Sequence, residues 1–552
     1  MSKEAKASRG TGVVWRQAGL GALSGLLAGY AALATAELVS AAVRPESSPV
    51  VSVGGAAIDR TPAAVKDWAI RHFGTNDKLV LQLGILVVLA LLALVLGVVA
   101  VWYRRIGSAG VLLFGVVGAV AATSRPDSTS VSDALPSVVG AVVGAGLLYW
   151  LSGRLRSRRG RARGEEPLVD EGMTVLGGRE ASMRDEGESG WDRRGFIVAA
   201  TAAAAASTGV GVLGRSLNGS QGQNAVASRT QVMLPAPASA AAPVPKGAGL
   251  RIKGVSPFMT LNQDFYRVDT ALVVPKVDAT TWRLRIHGKG VARERTLSFD
   301  DLLRMPLIER DITLTCVSNE VGGPYVGNAR WIGVRLADLL AASGVTPPSK
   351  GGPADQLVAR SVDGMTIGSP VEDVMDGRDA MLALGMNGQP LPFAHGFPVR
   401  MLVPGLYGYV SACKWIQDIE LTTFDDYDSY WVKRDWARKA PIKTQSRIDT
   451  PKPFARPMAG MVMVAGVAWA QHRGIDKVEV RVDDGPWERA TLAAEDTRDT
   501  WRQWSYAWEA TSGGHTLTVR ATDRTGETQT AKRTPTIPDG ASGRHSVVVT
   551  VD

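Results

Sequence analysis

The sequence predicts a multi-domain protein: an α-helical transmembrane region, then an α+β domain, then an all-β sandwich. Three observations lead there. The 552 residues suffice for about three to five domains. Five stretches free of charged residues crowd the first 215 positions. From about residue 442 the pattern turns to period-two alternation between turn residues. With 21% charged against 45% hydrophobic residues, a disordered polyelectrolyte is excluded despite the net charge of +9. The two cysteines, Cys316 and Cys413, exclude a disulfide-rich scaffold and a four-cysteine zinc site.

The transmembrane region is placed at 1–215, with spans at 17–36, 79–101, 106–124, 134–153 and 195–214, each long enough as a helix to cross about 30 Å of hydrocarbon. Lys3, Lys6, Arg9 and Arg16 precede the first span, and Arg104 and Arg105 separate the second and third. Arg154, Arg156, Arg158, Arg159, Arg161 and Arg163 follow the fourth. The positive-inside rule then gives a multi-pass cell-membrane protein with a cytoplasmic N-terminus. Arg44, Arg60, Lys66 and Arg71 in the first loop oppose this mildly, offset by Glu46, Asp59 and Asp67. The arginine run is read as this topology signal, so no nucleic-acid partner is expected. Asp192-Arg193-Arg194-Gly195-Phe196-Ile197 before an Ala-rich stretch resembles a twin-arginine export signal, which implies that everything downstream folds inside and then crosses. Ala225-Val226-Ala227 is a candidate cleavage site. The spans hold no histidine for haem and no internal carboxylate or arginine for an ion path, so they read as an anchor or a docking surface in the lipid bilayer.

Residues 216–249 are rich in Pro and Ala and read as an extended tether. The 250–441 region mixes strand-like runs (282–287, 311–316) with an amphipathic helix at 334–343. In 442–552 the runs 477–482, 516–521 and 546–551 alternate strictly, with Asp483-Asp484-Gly485 as a turn. Trp469, Trp487, Trp501, Trp504 and Trp508 read as core or interface aromatics.

Cys316 ends an alternating run and enters a glycine-bearing loop, Cys316-Val317-Ser318-Asn319-Glu320-Val321-Gly322-Gly323. A thiol there can reach a ligand; a bridge to Cys413 and an inert core thiol are the other readings. His395 and Arg400 flank a short apolar run, and Ser411-Ala412-Cys413-Lys414-Trp415 follows. Arginine, lysine and a histidine donor are groups that hold a phosphorylated cofactor.

Together these segments resemble the sulfite oxidase family of molybdenum enzymes over residues 250–552. The resemblance is carried by Leu314-Thr315-Cys316 with Asn319, then 327–333 with Asp338, Met386-Asn387-Gly388 with Pro390, the run from His395 to Arg400, Val403-Pro404-Gly405, and Lys414-Trp415. It implies a sulfite-oxidase-type molybdopterin domain followed by an Ig-like, dimerisation-type sandwich. It also implies a molybdenum–molybdopterin cofactor with Cys316 as the protein ligand to the metal, a soft thiolate suiting a metal already held by sulfur. Cofactor contacts carried over are Asn262, Phe265, Tyr266, Arg267, Asp363, His395, Arg400, Ser411 and Lys414. No haem is expected, so electrons pass to or from a separate electron-transfer protein or a quinone; homodimer and monomer both stay open. By local matching, two arginines that hold the anion in sulfite oxidases fall on Val268 and Val321, with Asp269 and Thr270 beside the first. Val321, Tyr325, Tyr407 and Tyr409 then border a less charged pocket, with Tyr409 at the reacting group. The expected reaction is oxygen-atom transfer outside the cytoplasm on a small neutral sulfoxide or N-oxide. A sulfite oxidase-type enzyme and a non-catalytic membrane receptor with an Ig-like binding domain are the alternatives.

Overall fold

The computed structural model describes residues 2–62, 65, 68, 72–73, 77–125, 128, 130–155 and 193–552. Arg156, Arg158, Arg159, Arg161 and Arg163 of the expected topology signal, and Asp192 of the export motif, lie outside the described residues. The chain forms two compact units, Met1–Thr61 with Ala69–Ser220, and Pro62–Trp68 with Gln221–Asp552.

The first unit is helical: α1 (Ser2–Val43), α2 (Pro49–Arg60), α3 (Asp77–Trp102), α4 (Arg104–Thr123), α5 (Leu135–Leu155) and most of α6 (Arg193–Gln231). Five helical stretches are long and apolar enough to cross a membrane: Trp15–Val43, Lys78–Trp102, Arg104–Thr123, Val131–Leu155 and Gly195–Gln231. These contain four of the five expected segments, and the third, 106–124, ends one residue beyond its helix. Leu79, Leu83, Val87, Leu91 and Val95 of α3 all stay exposed, as suits a helix solvated by lipid. Small residues bring helices together: a Cβ on Gly25 would strike the Ala93 carbonyl, and one on Gly97 the Gly21 carbonyl, so α1 and α3 touch backbone to backbone. The expectation of carboxylate-free spans needs correction. The first span runs on past Ala36 and takes in Glu37, whose carboxylate accepts from Asn218 Nδ2 at 2.9 Å and Ser48 Oγ at 3.2 Å.

The second unit begins inside α6, which continues to Gln231 through the expected start of the tether. Ala225-Val226-Ala227, the candidate cleavage site, is therefore helical, with Ala225 fully buried. The Pro/Ala stretch is likewise not a free tether: Ser239 N donates to Leu307 O at 3.2 Å and Ser239 O accepts from Glu309 N at 2.8 Å. Its prolines lack an N–H, but the serine between them supplies both backbone groups to a sheet edge, where proline is tolerated.

Strands β1 (Arg283–Gly288), β2 (Arg295–Ser298), β3 (Leu307–Thr315), β4 (Val326–Arg335), β5 (Gln356–Ser361), β6 (Thr366–Pro370), β7 (Met381–Met386), β8 (Gln389–Pro390), β9 (Arg400–Leu402) and β10 (Ile416–Thr422) build two sheets. One has the order β2-β1-β10-β5-β6, with β1 and β10 parallel; the other is antiparallel β3-β4-β7-β8 with β9 added on β7. Short helices α7 (Phe299–Leu303), α8 (Leu336–Ala342), α9 (Val371–Met375) and α10 (Gly408–Ser411) fill the connections. Ser298 caps α7 with a reciprocal Ser298–Asp301 capping box.

Strands β11 (Gln445–Thr450), β12 (Gly460–Trp469), β13 (Ile475–Val482), β14 (Glu488–Arg489), β15 (Thr491–Leu492), β16 (Arg502–Ala510), β17 (Gly513–Asp523) and β18 (His545–Val551) form two further sheets, β11-β12-β16-β15 and β14-β13-β17-β18. Val464 and Trp504 of one and Val480, Val519 and Val549 of the other share one core. Val467, Trp469 and Trp501 instead join the core of the preceding domain. Gln471 Nε2 donates to Thr313 O at 3.0 Å and to Thr315 Oγ1 at 3.1 Å, and Trp501 N donates to Thr313 Oγ1 at 2.7 Å. The sandwich therefore braces β3, the strand that leads into Cys316.

Candidate active site

The site grows from the end of β3. Cys316 follows Thr315, its N–H held by Tyr325 O at 2.9 Å, and Asn319 closes the loop by accepting from Tyr325 N at 2.8 Å through Oδ1. Gly322 adopts φ +82°, and a Cβ there would strike the His545 ring, so this position needs glycine twice over. No disulfide joins Cys316 and Cys413, which removes the bridged reading. Burial pushes the Cys413 thiol upward, keeping it an inert core group.

The 262–270 segment supplies an aromatic wall. Phe265 stacks on Tyr266 at 5.2 Å between centroids and meets Trp331 and His395 edge-on at 5.8 and 5.6 Å. Tyr266 lies beside both the thiol and Arg400: burial raises its hydroxyl pKa, the Cys316 sulfur adds to the rise and Arg400 opposes it. Asn262 ties this wall to the second sheet through Asn387 Nδ2, which donates to its Oδ1 at 2.9 Å.

His395 Nε2 lies 2.9 Å from Asn262 O. A carbonyl only accepts, so Nε2 carries the proton and Nδ1 keeps its lone pair. Burial, then the Arg400 charge, lowers the His395 pKa to about 4, so the ring is neutral near pH 7. Arg400 is 6% exposed, its Nη1 donates to His395 O at 3.3 Å, and its buried Nε has no partner. Burial lowers its pKa as well.

Lys414 and Arg267 converge on one carboxylate: Lys414 Nζ is 2.8 Å and Arg267 Nε 3.3 Å from Asp269 Oδ2, whose side chain is 3% exposed. Asp363 stands near this group; burial raises its pKa, and Asp269 adds to the rise while Lys414 opposes it. Ser361 Oγ donates to its carboxylate.

Nine of the eleven expected site residues thus gather around the Cys316–Arg400–Lys414 region. Two do not present their side chains there. Ser411 Oγ is turned onto its own helix, donating to Leu406 O at 2.9 Å. Tyr409, expected at the reacting group, donates to Ala437 O at 2.8 Å and packs on Trp436 at 5.2 Å. Tyr407 is the one whose hydroxyl senses Cys316, raised first by burial and then by Asp539 and the thiol. Two residues of the sandwich were not foreseen. Arg447 Nη1 donates to Gly323 O at 2.8 Å, while its Nε is held by Asp449 at 2.7 Å. His545 lies against Gly322 and accepts from Ile448 N through Nδ1 at 3.0 Å. Arg447 lies within β11 and His545 opens β18, and nothing in the sequence tied either to the Cys316 loop, which for Arg447 is 124 positions away.

Residues 271–431 match the oxidoreductase molybdopterin binding domain. The chain is 30% identical to sulfite oxidase of Gallus gallus over 322 residues, covering 48% of this chain and 69% of that one. It is 30% identical to mitochondrial sulfite oxidase of Homo sapiens, covering 48% and 55%, and 30% identical to the uncharacterized oxidoreductase YuiH of Bacillus subtilis, covering 33% and 85%. It spans about half the length of the mammalian relatives it matches. Among solved structures, the sulfane dehydrogenase SoxCD of Paracoccus pantotrophus aligns at 23% identity and a TM-score of 0.46, over 54% of this chain and 84% of that one. The thiol loop and the His395–Arg400 pocket lie within the matched 271–431 stretch, and with the Gallus gallus enzyme 30% identical and covered to 69%, the chain belongs to the sulfite oxidase family of molybdopterin-dependent oxidoreductases.

Proposed function

We propose that the protein is a membrane-anchored enzyme that transfers an oxygen atom from a small neutral sulfoxide or N-oxide at an extracytoplasmic molybdenum site. The residues fit the family's cofactor. Arg400 is a buried guanidinium with an unpartnered Nε, a costly arrangement unless an anionic group such as a phosphate meets it. His395 offers a bare Nδ1 next to it. Asn262, Phe265 and Tyr266 form a wall that would hold a flat ring system, and Cys316 would offer one soft sulfur donor. When bound, the molybdenum cofactor supplies two-electron oxygen-atom exchange. The chain positions the substrate, keeps the Tyr266 and Tyr407 hydroxyls protonated as neutral donors, and holds charge away from the reacting oxygen. Asp363, Arg267 and Lys414 form the polar edge of the same cradle.

The observation that carries the substrate class is the pairing at Asp269. Arg267 and Lys414 share that carboxylate, Arg447 is occupied by Asp449, and Val268 and Val321 stand where the resemblance puts anion-binding arginines. Two missing guanidiniums remove charge-assisted hydrogen bonds worth roughly 1.5–3 kcal/mol each to an anion. Sulfite should therefore bind orders of magnitude more weakly than in an enzyme that keeps them. Steady-state assays comparing sulfite oxidation with reduction of neutral sulfoxides and N-oxides test this, and sulfite turnover with a micromolar Michaelis constant would overturn it. Under this reading the N-terminus is cytoplasmic, the spans anchor the enzyme, and electrons come from a separate protein or a quinone.

A further inference from the structure

The outer face of the sheet β14-β13-β17-β18 carries a charge cluster that the fold does not need. The Trp487 ring has three guanidiniums over it: Arg520 at 4.3 Å, Arg544 at 5.0 Å and Arg481 at 5.1 Å from its centroid. Strand register sets them side by side, with Arg481 opposite Thr518, Thr518 opposite Ser546, and Glu479 opposite Arg520. Glu479 is the carboxylate within the cluster, 2.8 Å from Arg520 Nε and 3.3 Å from Lys477 Nζ, so four cations meet one anion. The next carboxylates, Asp483 and Glu488, are bonded to His515 and Tyr506. Arg481 Nε and Arg544 Nε are buried without a partner. Burial and then the charges of Arg520 and Arg481 lower the Arg544 pKa, the mark of like charges held close.

Apolar surface adjoins the cluster. Val548, opposite Thr516 one row along, is 48% exposed, and Phe454, whose N–H donates to Val548 O at 2.7 Å, is 81% exposed. Arginine, tryptophan and phenylalanine together are the composition of a protein-binding surface. A bare phosphate would use the guanidiniums and leave the apolar row idle. A two-fold contact between copies would set the arginine clusters against each other. Along the backbone the cluster is one residue from the loop contact: Arg544 precedes His545, whose ring turns to the opposite face of the sheet and rests on Gly322 of the Cys316 loop.

We propose that this face docks an acidic electron-carrier protein whose carboxylates surround an apolar spot, and that electrons enter the enzyme there. The proposal rests on the oxidoreductase reading above and selects a protein over a quinone as donor. For a sulfoxide, the carrier delivers two electrons one at a time, two protons come from solvent, the S–O bond breaks, and the oxygen leaves as water.

The test uses detergent-solubilised holoenzyme with a neutral sulfoxide as acceptor and, as donor, either a reduced plant-type [2Fe–2S] ferredoxin, an acidic protein, or reduced methyl viologen. Ferredoxin-driven turnover should fall steeply between low and physiological salt. It should fall by about tenfold or more in Arg481→Glu/Arg520→Glu/Arg544→Glu, while viologen-driven turnover is unchanged. Should the triple variant fail to fold, Arg481→Gln/Arg544→Gln should still cost about threefold. Ferredoxin whose carboxylates have been amidated should lose the advantage. Equal ferredoxin rates in wild type and variants overturn the proposal. So does an effect of the variants confined to binding of phosphatidylglycerol vesicles, or a dimer that the variants dissolve. Absence of viologen-driven turnover in wild type would instead sink the enzyme reading itself.

Discussion

Two sets of cations lie near the Cys316 loop and are handled in opposite ways. Arg400 is buried, has an orphaned Nε and faces no carboxylate in its hydrogen bonds. Arg267 and Lys414, at the edge of the same cradle, are both drawn onto Asp269. A buried unpaired guanidinium is tolerated where an anion is to be held permanently, whereas a shared carboxylate cancels positive charge where no anion is wanted. On the function proposed above, the same residue types would hold a cofactor in one place and neutralise an approach in the other.

The sharpest way to break the comparison is at the thiol. Cys316→Ser should lower turnover by about 10³-fold, roughly 4 kcal/mol of barrier, while pterin content measured after denaturation stays near wild type. Unchanged turnover would take Cys316 out of the chemistry. Arg400→Met probes the cradle itself. Removing one charge-assisted contact should weaken cofactor retention by about 10- to 150-fold. The cofactor-free variant should melt no lower than cofactor-free wild type, since an uncompensated buried charge has gone. A large fall in the melting point of the cofactor-free protein would make Arg400 structural.

The legibility of these sites follows their range. The Cys316 loop and the His395–Arg400 run were readable because each is a short contiguous motif at a strand end. The strands of the sandwich were readable because alternation survives in sequence: β18 buries Val547, Val549 and Val551 and exposes the residues between. Asp269 was noted only as a replacement for a polar residue; its pairing with Lys414 joins positions 145 apart and needs the folded chain. Tyr409 was placed at the reacting group ahead of Tyr407 because α10, which Tyr407 caps and Tyr409 enters, spans four residues, too few to fix a face by period. Hydropathy found the fifth apolar helix but not its end, since Arg215 stops an apolar run without stopping a helix, and α6 continues to Gln231.

Asp269→Asn tests the neutralised side directly. It releases Arg267 and Lys414, so the Michaelis constant for sulfite should fall by about tenfold while that for a neutral sulfoxide moves by less than about twofold. Equal changes for both substrates would show that Asp269 positions the loop rather than sets its charge.

The smallest effect tests the bracing of the Cys316 loop by the sandwich. Burial first, then Arg447 and Arg533, lowers the His545 pKa to about 4, against 6.5 for the free side chain. The unfolded chain therefore takes up a proton at this residue before the folded one does, and stability at this site declines as the pH drops from about 6.5 towards 4 and is level above about 7. Between pH 7 and pH 5 the loss should be about 1–2 kcal/mol, allowing for partial solvent access. Denaturant midpoints for wild type and His545→Gln at the two pH values isolate it. Glutamine keeps an acceptor for Ile448 N without titrating, so its pH 5 penalty should shrink by that amount. An equal penalty in both proteins would mean that the ring is charged in the fold and that Gly322 packs against an imidazolium.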